Sequence, residues 1–216
     1  AGLNRYPDRD AVALRTDLAE YLRAESGVRL GVENMWAANG SNEIMHQLML
    51  AFGGPGRTAL GFTPTYSMYP EYCRDTFTRY VTEPRAADFD LSAAQAVEYV
   101  LEHQPDVVLL ASPNNPTGTA LAREVVPAVL QVAPGMVVVD EAYAEFRRPG
   151  TGSALEHVAE HPRLVVTRTM SKAFGLAGAR VGYLAGSPGA VEAVRLVRLP
   201  YHLSAVTQAV AVTALA

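Results

Sequence analysis

The sequence is poor in cysteine and in basic charge, and it has no long apolar run. Its single cysteine, Cys73, excludes an internal disulfide framework and a zinc site built from cysteines. The 216 residues carry 18 Lys and Arg against 22 Asp and Glu, so no positive surplus is available to neutralise nucleic-acid phosphates. No apolar run approaches the roughly 20 residues of a membrane span, and no signal-peptide pattern opens the sequence. We therefore expect a cytoplasmic protein that acts on neither nucleic acids nor membranes.

Apolar periodicity and short apolar runs indicate helices that alternate with buried strands. Helices are predicted over residues 11–24, 41–52, 91–103 and 121–132. Strands are predicted over residues 58–62, 107–111, 136–139 and 164–167, with a weaker candidate at 181–185. The alternation is typical of crossover connections in a largely parallel sheet. The last candidate follows its predecessor without a long helix between them, so we expect it to run antiparallel.

Polar and aromatic side chains follow each of the four stronger strands. Ligands of an open α/β sheet bind beyond the carboxyl ends of its strands, so these segments are candidates for one shared site. The segments are Thr-Pro-Thr-Tyr at 63–66, Ser-Pro-Asn-Asn-Pro-Thr-Gly at 112–118, Asp-Glu-Ala-Tyr at 140–143 and Arg-Thr-Met-Ser-Lys at 168–172. One edge of the sheet would thus receive an aromatic ring, an amide, a carboxylate with a phenol, and a lysine.

Each of these side chains also has a plain structural explanation. Asp140 could cap the next element, and Lys172 could be a surface lysine. Asn115 could belong to an ordinary turn, and Tyr66 could pack in the core. The functional alternative for Asp140 is a charge partner for a cationic nitrogen in a site of low dielectric constant. For Lys172, which precedes a stretch rich in Gly and Ala, the alternative is an amine nucleophile that attacks a carbonyl.

Two further segments are candidate anion ligands. Gly40-Ser41-Asn42 leads into a predicted helix, whose free amides and dipole attract anions, although most helix starts bind only their own cap. Arg180 is either a surface charge or a second anion ligand with a fixed fork of donors. Taken together, an anion site, a carboxylate, an amide with a phenol, a stacking ring and a nucleophilic lysine match the functional groups of pyridoxal phosphate.

Three motifs resemble those of the fold-type I pyridoxal-phosphate aminotransferases, and they occur in that family's order. They are Ser-Pro-Asn-Asn-Pro-Thr-Gly at 112–118, Asp-Glu-Ala-Tyr at 140–143 and Ser-Lys-Ala-Phe at 171–174. The segments at 5–7, 38–43, 64–69 and 200–204 resemble the histidinol-phosphate aminotransferases in particular. Aromatic aminotransferases and a threonine-phosphate decarboxylase share many of them. The resemblance spans nearly the whole chain and implies an α/β/α sandwich around a mostly parallel mixed sheet.

The resemblance also implies a role for each matching residue. Lys172 forms the Schiff base with the cofactor and then shuttles the substrate proton, and Asp140 pairs with the pyridine nitrogen. Asn115 and Tyr143 form hydrogen bonds with the 3-oxygen of the ring, and Tyr66 stacks on the ring. The implied phosphate ligands are Ser41, Asn42, Thr169, Ser171 and Arg180.

The activity implied by the resemblance is transamination. L-Histidinol phosphate would be the amino donor and 2-oxoglutarate the acceptor, in histidine biosynthesis. The family is homodimeric, and Tyr6 is expected to reach the phosphate of the cofactor in the neighbouring subunit. The alternatives are an aromatic aminotransferase, a threonine-phosphate decarboxylase, and a non-catalytic aminotransferase-like domain that senses a ligand.

We expect the 216 residues to form the cofactor-binding large domain of a protein of roughly 350 residues. In the family, an N-terminal segment and a small C-terminal domain contact the substrate, and both are expected to lie largely outside this sequence. We therefore expect the 216 residues alone to be poorly active.

The sequence contains one pattern that resembles a metal site. His157, Glu160 and His161 have the spacing of a zinc-protease motif. Pro162 follows at once and no third ligand is evident, so we expect a charged helix end and no metal.

Overall fold

The computed structural model describes residues 2–216, which form a seven-stranded sheet with helices on both faces. The strands are β1 Met35–Ala38, β2 Thr58–Thr63, β3 Arg79–Pro84, β4 Val107–Ala111, β5 Met136–Asp140, β6 Leu164–Thr169 and β7 Gly182–Gly186. The α-helices are α1 Val12–Ser26, α2 Ser41–Phe52, α3 Tyr69–Asp75, α4 Ala93–His103, α5 Val125–Val132, α6 Pro188–Val197 and α7 Ala205–Leu215. None of the helices in this part of the chain is long and apolar enough to cross a membrane.

The sheet is mixed and mostly parallel, in the order β1-β7-β6-β5-β4-β2-β3. Strands β2 to β6 run parallel to one another, whereas β7 is antiparallel to both β6 and β1. The prediction of an antiparallel final strand is therefore confirmed. As a consequence, the carboxyl ends of β1, β2, β4, β5 and β6 and the start of β7 all meet at one edge of the sheet.

Alternate residues of the central strands face two separate cores, which confirms the three-layer arrangement. In β4, Val108 and Leu110 pack in the core that contains side chains of α1, α4, α5 and α7. Val107 and Leu109 pack on the opposite face, with side chains of α2, α3 and α6. A strand that is buried on both faces has no polar side, which explains its unbroken apolar sequence.

Two predicted helices begin at least two residues later in the structure than in the sequence pattern. Helix α4 begins after Ser92 and not at Leu91, because the Ser92 hydroxyl accepts a hydrogen bond from the Gln95 amide (3.3 Å) and caps the helix. Helix α5 begins at Val125, because the Leu121 amide donates to the Ser112 hydroxyl (3.0 Å), which holds residues 121–124 outside the helix.

The sequence patterns missed several short elements. Strand β3 lies at an edge of the sheet, where exposed residues such as Arg79 replace the apolar run of a central strand. Strand β1 has only four residues, and helix α3 has seven with Pro70 in its first turn. Both are shorter than the window over which a period can be recognised. Of these elements, β1 and α3 flank the candidate site.

Candidate active site

A cavity of about 210 Å³ opens at the edge where the parallel strands end. All the predicted site residues except Tyr6 line this cavity: Ser41, Asn42, Tyr66, Asn115, Asp140, Tyr143, Thr169, Ser171, Lys172 and Arg180. Asp140 and Thr169 are the last residues of β5 and β6. The others come from the segments that follow β1, β2, β4, β5 and β6, Arg180 lying two residues before β7. The chain topology therefore brings together side chains that are up to 139 positions apart, Ser41 and Arg180 being the extremes.

Tyr6 lies away from the cavity of its own chain. It is 80% exposed, and its ring stacks on that of Tyr201 with the centroids 4.5 Å apart. Leu196 and Leu199, close in sequence to Tyr201, are also strongly exposed. The predicted reach of Tyr6 into a neighbouring subunit stays a prediction.

Asp140 is a buried carboxylate at the end of β5, only 7% exposed. The Tyr69 hydroxyl donates to its Oδ2 atom at 3.0 Å, and the Ala142 amide and the Thr167 hydroxyl donate to Oδ1 at 3.2 and 3.4 Å. No cationic side chain in residues 2–216 forms a salt bridge with it. Burial raises the pKa of Asp140 above the ordinary value of 3.8, because the charged form loses its hydration. Such a carboxylate favours the binding of a cationic group beside it.

Lys172 is the only lysine among the 18 Lys and Arg residues of the sequence, and the others are all arginine. It lies in the exposed loop between β6 and β7, and its Nζ atom is 5.4 Å from the centroid of the Tyr143 ring. Arginine is charged at any physiological pH, whereas a lysine amine can lose its proton and act as a nucleophile. The presence of a single lysine, at the end of a strand, is a sequence signal for a functional amine.

The start of helix α2 forms a narrow cradle at the cavity wall. Its N-cap residue is Gly40 (φ 84°), which has no side chain to bind the first amides, and the helix begins at Ser41 as the sequence pattern predicts. A Cβ atom on Gly40 would lie 2.5 Å from Arg180 Nη2. A Cβ atom on Gly182 would lie 2.1 Å from the Ser41 amide nitrogen. The two glycines thus allow β7, the helix start and the Arg180 guanidinium to converge, which is a suitable geometry for an anion.

A buried ion network lies beside the cavity and was not predicted. Arg168 of β6 is 1% exposed; its Nε and Nη2 atoms donate to Glu141 Oε2 at 3.0 and 2.8 Å, and Nη1 donates to Glu25 Oε2 at 3.1 Å. Burial lowers the pKa of Arg168, but the carboxylates of Glu141 and Glu25 more than offset this effect and keep the group charged. Since Glu141 follows Asp140, the network fixes the ends of β5 and β6 beneath the site.

We expect Arg168→Met to lower the free energy of unfolding by about 3–5 kcal/mol, because the buried Glu141 carboxylate would lose its cation. Urea unfolding monitored by circular dichroism measures the loss. The matched control is Arg123→Met, which removes an exposed pair with Glu156 at 3.6 Å and should change stability by no more than about 0.5 kcal/mol. A similar loss in both variants, or less than about 1 kcal/mol in Arg168→Met, would contradict this account.

The zinc-protease spacing does not assemble a metal site in the described part of the chain. His157 ends a short 3-10 helix, and its ring meets that of His161 edge-on with the centroids 6.3 Å apart. Residues 2–216 contain no group of three or more His, Cys, Asp or Glu side chains that could hold a metal ion.

Comparison with known sequences gives one family and a consistent set of relatives. The model of the family "Aminotransferase class I and II" matches residues 1–216. The histidinol-phosphate aminotransferase 3 of Burkholderia lata is 62% identical over 212 residues, which cover 98% of this chain and 57% of the relative. The histidinol-phosphate aminotransferase of Thermobifida fusca is 62% identical over 214 residues, which cover 99% of this chain and 57% of the relative. The chain therefore spans somewhat more than half the length of these relatives.

Solved structures show the same architecture. The histidinol-phosphate aminotransferase of Sinorhizobium meliloti in complex with pyridoxal 5'-phosphate superposes with a TM-score of 0.89 at 28% identity, covering 99% of this chain and 57% of that one. The N-succinyldiaminopimelate aminotransferase of Mycobacterium tuberculosis has a TM-score of 0.88 at 25% identity, and the match covers 99% of this chain and 59% of that one. The fold is therefore shared among enzymes whose names give different substrates.

Proposed function

The chain belongs to the class I and II aminotransferase family, and from this premise we propose that its cavity binds pyridoxal phosphate. One observation carries the proposal: a buried carboxylate without an ionic partner in residues 2–216 and the only lysine of the sequence line the same cavity. The carboxylate suits a protonated pyridine nitrogen, and the lysine suits an aldehyde. The glycine-bounded start of α2, with Arg180 against it, suits a phosphate. The residues present therefore fit the cofactor at three of its functional groups.

The bound cofactor would supply an electron sink for the negative charge that develops on the α-carbon of an amino substrate. Asp140 would hold a proton on the ring nitrogen, because a fixed negative charge in a buried site stabilises a cation beside it. Lys172 would attach the cofactor through its amine and, once released by the substrate, would move the α-proton as a general base and acid. Tyr66 would cover the ring face, and Asn115 with Tyr143 would contact its 3-oxygen.

Phosphate binding would depend on the close approach of β7 to the start of α2. Gly182→Ala would place a Cβ atom against the backbone of Ser41, which cannot yield as a flexible side chain would. We expect pyridoxal phosphate to bind at least about 10-fold more weakly, a loss of about 1.4 kcal/mol, in a titration followed by cofactor absorbance. Gly186→Ala in the same strand is the control, since its Cβ atom would meet the Val165 side chain at 3.2 Å. Equal cofactor affinity in Gly182→Ala and the native protein would contradict phosphate binding at the start of α2.

We propose that the whole protein transfers the amino group of L-histidinol phosphate to 2-oxoglutarate, in histidine biosynthesis. The support is the name that the curated relatives at 57–62% identity share. The chain covers little more than half the length of each of these relatives. We further propose that residues 1–216 are the cofactor-binding large domain, and that the rest of the protein contacts the substrate. The support for this assignment is the cavity lining, which suits the groups of the cofactor.

The test of this function is an assay of the whole protein, loaded with pyridoxal phosphate, against three amino donors with 2-oxoglutarate as acceptor. We expect the highest kcat/KM for L-histidinol phosphate, and lower values for phenylalanine and threonine phosphate. A preference for phenylalanine would identify an aromatic aminotransferase, and loss of carbon dioxide from threonine phosphate would identify a decarboxylase. Binding of a donor without turnover would favour the ligand-sensing alternative.

We propose that the protein acts as a homodimer in the cytoplasm. Tyr6, Leu196 and Leu199 are large apolar side chains that are strongly exposed, which suits burial against a second copy of the chain. In such a dimer Tyr6 of one subunit would reach the phosphate site of the other. Cys73 is free and buried, as is usual where thiols stay reduced. Sedimentation of the native protein and of Leu199→Asp, which should lower the fraction of dimer, tests the surface.

A further inference from the structure

Tyr69 lies directly behind the cavity and contacts a residue that lines it. It is the first residue of α3, its side chain is 0% exposed, and its hydroxyl donates to Asp140 Oδ2 at 3.0 Å. Its ring meets that of Tyr66 edge-on, with an interplanar angle of 86° and the centroids 5.7 Å apart. The turn between Tyr66 and Tyr69 therefore places one ring at the cavity wall and the other against the carboxylate.

The two oxygens of Asp140 have different donors. Oδ1 accepts from the Ala142 amide at 3.2 Å and from the Thr167 hydroxyl at 3.4 Å. Oδ2 accepts from the Tyr69 hydroxyl, the one donor that residues 2–216 provide to it. A buried hydrogen bond to a charged acceptor fixes the orientation of that acceptor and favours its ionised form. Without Tyr69, the carboxylate would keep one anchored oxygen and could rotate about it.

We propose that Tyr69 is a positioning residue, which holds the Asp140 carboxylate in one orientation and keeps it ionised toward the ring nitrogen of the bound cofactor. The proposal rests on the proposed function for its catalytic consequence. A carboxylate that accepts a hydrogen bond from a hydroxyl is a weaker base, so the shared proton stays on the ring nitrogen and does not move to Asp140. Tyr69 would thereby maintain the electron-withdrawing form of the ring while touching neither cofactor nor substrate.

Tyr80 provides a matched control for this arrangement. Its hydroxyl is also buried, and it has no hydrogen-bond partner among the described residues. It lies on β3 and packs against the core on the same face of the sheet as Tyr69. Tyr80→Phe and Tyr69→Phe thus remove the same atom from the same side of the molecule, but only the second change removes a hydrogen bond to Asp140.

The experiment uses the whole protein with and without bound pyridoxal phosphate. In the cofactor-free protein, carbon-13 NMR of the Asp140 carboxyl is expected to show a pKa that is higher by about one in Tyr69→Phe and unchanged in Tyr80→Phe. In the loaded enzyme, we expect kcat to fall about 10-fold or more in Tyr69→Phe with KM within twofold, and Tyr80→Phe to match the native enzyme. Thermal denaturation of both variants verifies that the fold is retained.

An unchanged Asp140 pKa in Tyr69→Phe, or an equal rise in Tyr80→Phe, would overturn the proposal. An altered pKa with native kcat would also overturn it, because the hydrogen bond would then have no effect on the ring. If the native protein shows no transamination while the pKa still responds to Tyr69 alone, the proposed function fails and the coupling between Tyr69 and Asp140 stands.

Discussion

Lys172→Ala is expected to abolish both transamination and the absorbance of covalently held cofactor. The sequence contains no second lysine that could take its place, and alanine offers no amine to attack the aldehyde or to move a proton. Loss of the general base alone accounts for a decrease in turnover of about 100- to 10,000-fold, and the loss of attachment adds to it. The measurements are steady-state turnover with L-histidinol phosphate and an absorbance spectrum of the purified, gel-filtered protein.

Lys172→Arg separates the positive charge of this side chain from its chemistry. Arginine keeps the cation near the Tyr143 ring but cannot become a neutral nucleophile at physiological pH. We expect it to be as inactive as Lys172→Ala. An arginine variant with substantial turnover, or an alanine variant that keeps the cofactor absorbance, would refute the assignment of Lys172.

Asp140→Asn is expected to leave the cofactor bound and to decrease turnover by several orders of magnitude. Asparagine has nearly the same shape: its oxygen can accept from the Ala142 amide and its nitrogen can donate to the Tyr69 hydroxyl. It carries no charge, however, to hold a proton on the ring nitrogen. Each 1.36 kcal/mol of lost stabilisation in the transition state costs about a factor of ten in rate. Cofactor affinity and kcat are measured on the same preparation. Near-native turnover would show that the ring does not require this carboxylate.

Asp140→Asn is expected to decrease turnover but not the stability of the folded chain. Because burial raises the pKa of Asp140 above 3.8 in the folded chain, ionisation is less favourable in the folded than in the unfolded state. The native chain without cofactor should lose stability relative to Asp140→Asn as the pH rises from the unfolded-state pKa of 3.8 to the higher pKa of the folded chain. We therefore expect the variant to be at least as stable as the native chain at pH 7 in urea unfolding. A large loss of stability in Asp140→Asn at pH 7 would show that the charge of Asp140 stabilises the folded chain, which this account does not predict.

The sequence predicted the parts of the fold that have a strong local pattern. The apolar run 107–111 and the polar residues after it identified both a doubly buried strand and the edge at which Asn115 lies. In the same way, the run that begins at residue 136 ends at Asp140. For central strands, the position of the site follows from the direction of the chain alone.

The unpredicted features depend on contacts between distant parts of the chain. Tyr69 and Asp140 are 71 positions apart, and Arg168 is 143 positions from Glu25, so no local pattern pairs them. Gly182 and the start of α2 are likewise brought together by the pairing of β1 with β7, and β1 is too short to be recognised from its sequence. These partners became visible only when the strand order was known.

Reduction of the loaded protein with borohydride, followed by mass spectrometry of its peptides, tests the central claim most directly. Borohydride converts a carbon–nitrogen double bond to a stable single bond, and Lys172 is the only lysine that can carry the label. The account predicts one equivalent of cofactor per chain, on the peptide that contains Lys172. Cofactor that is released after reduction, or that is found only at the N-terminal amine, would contradict it.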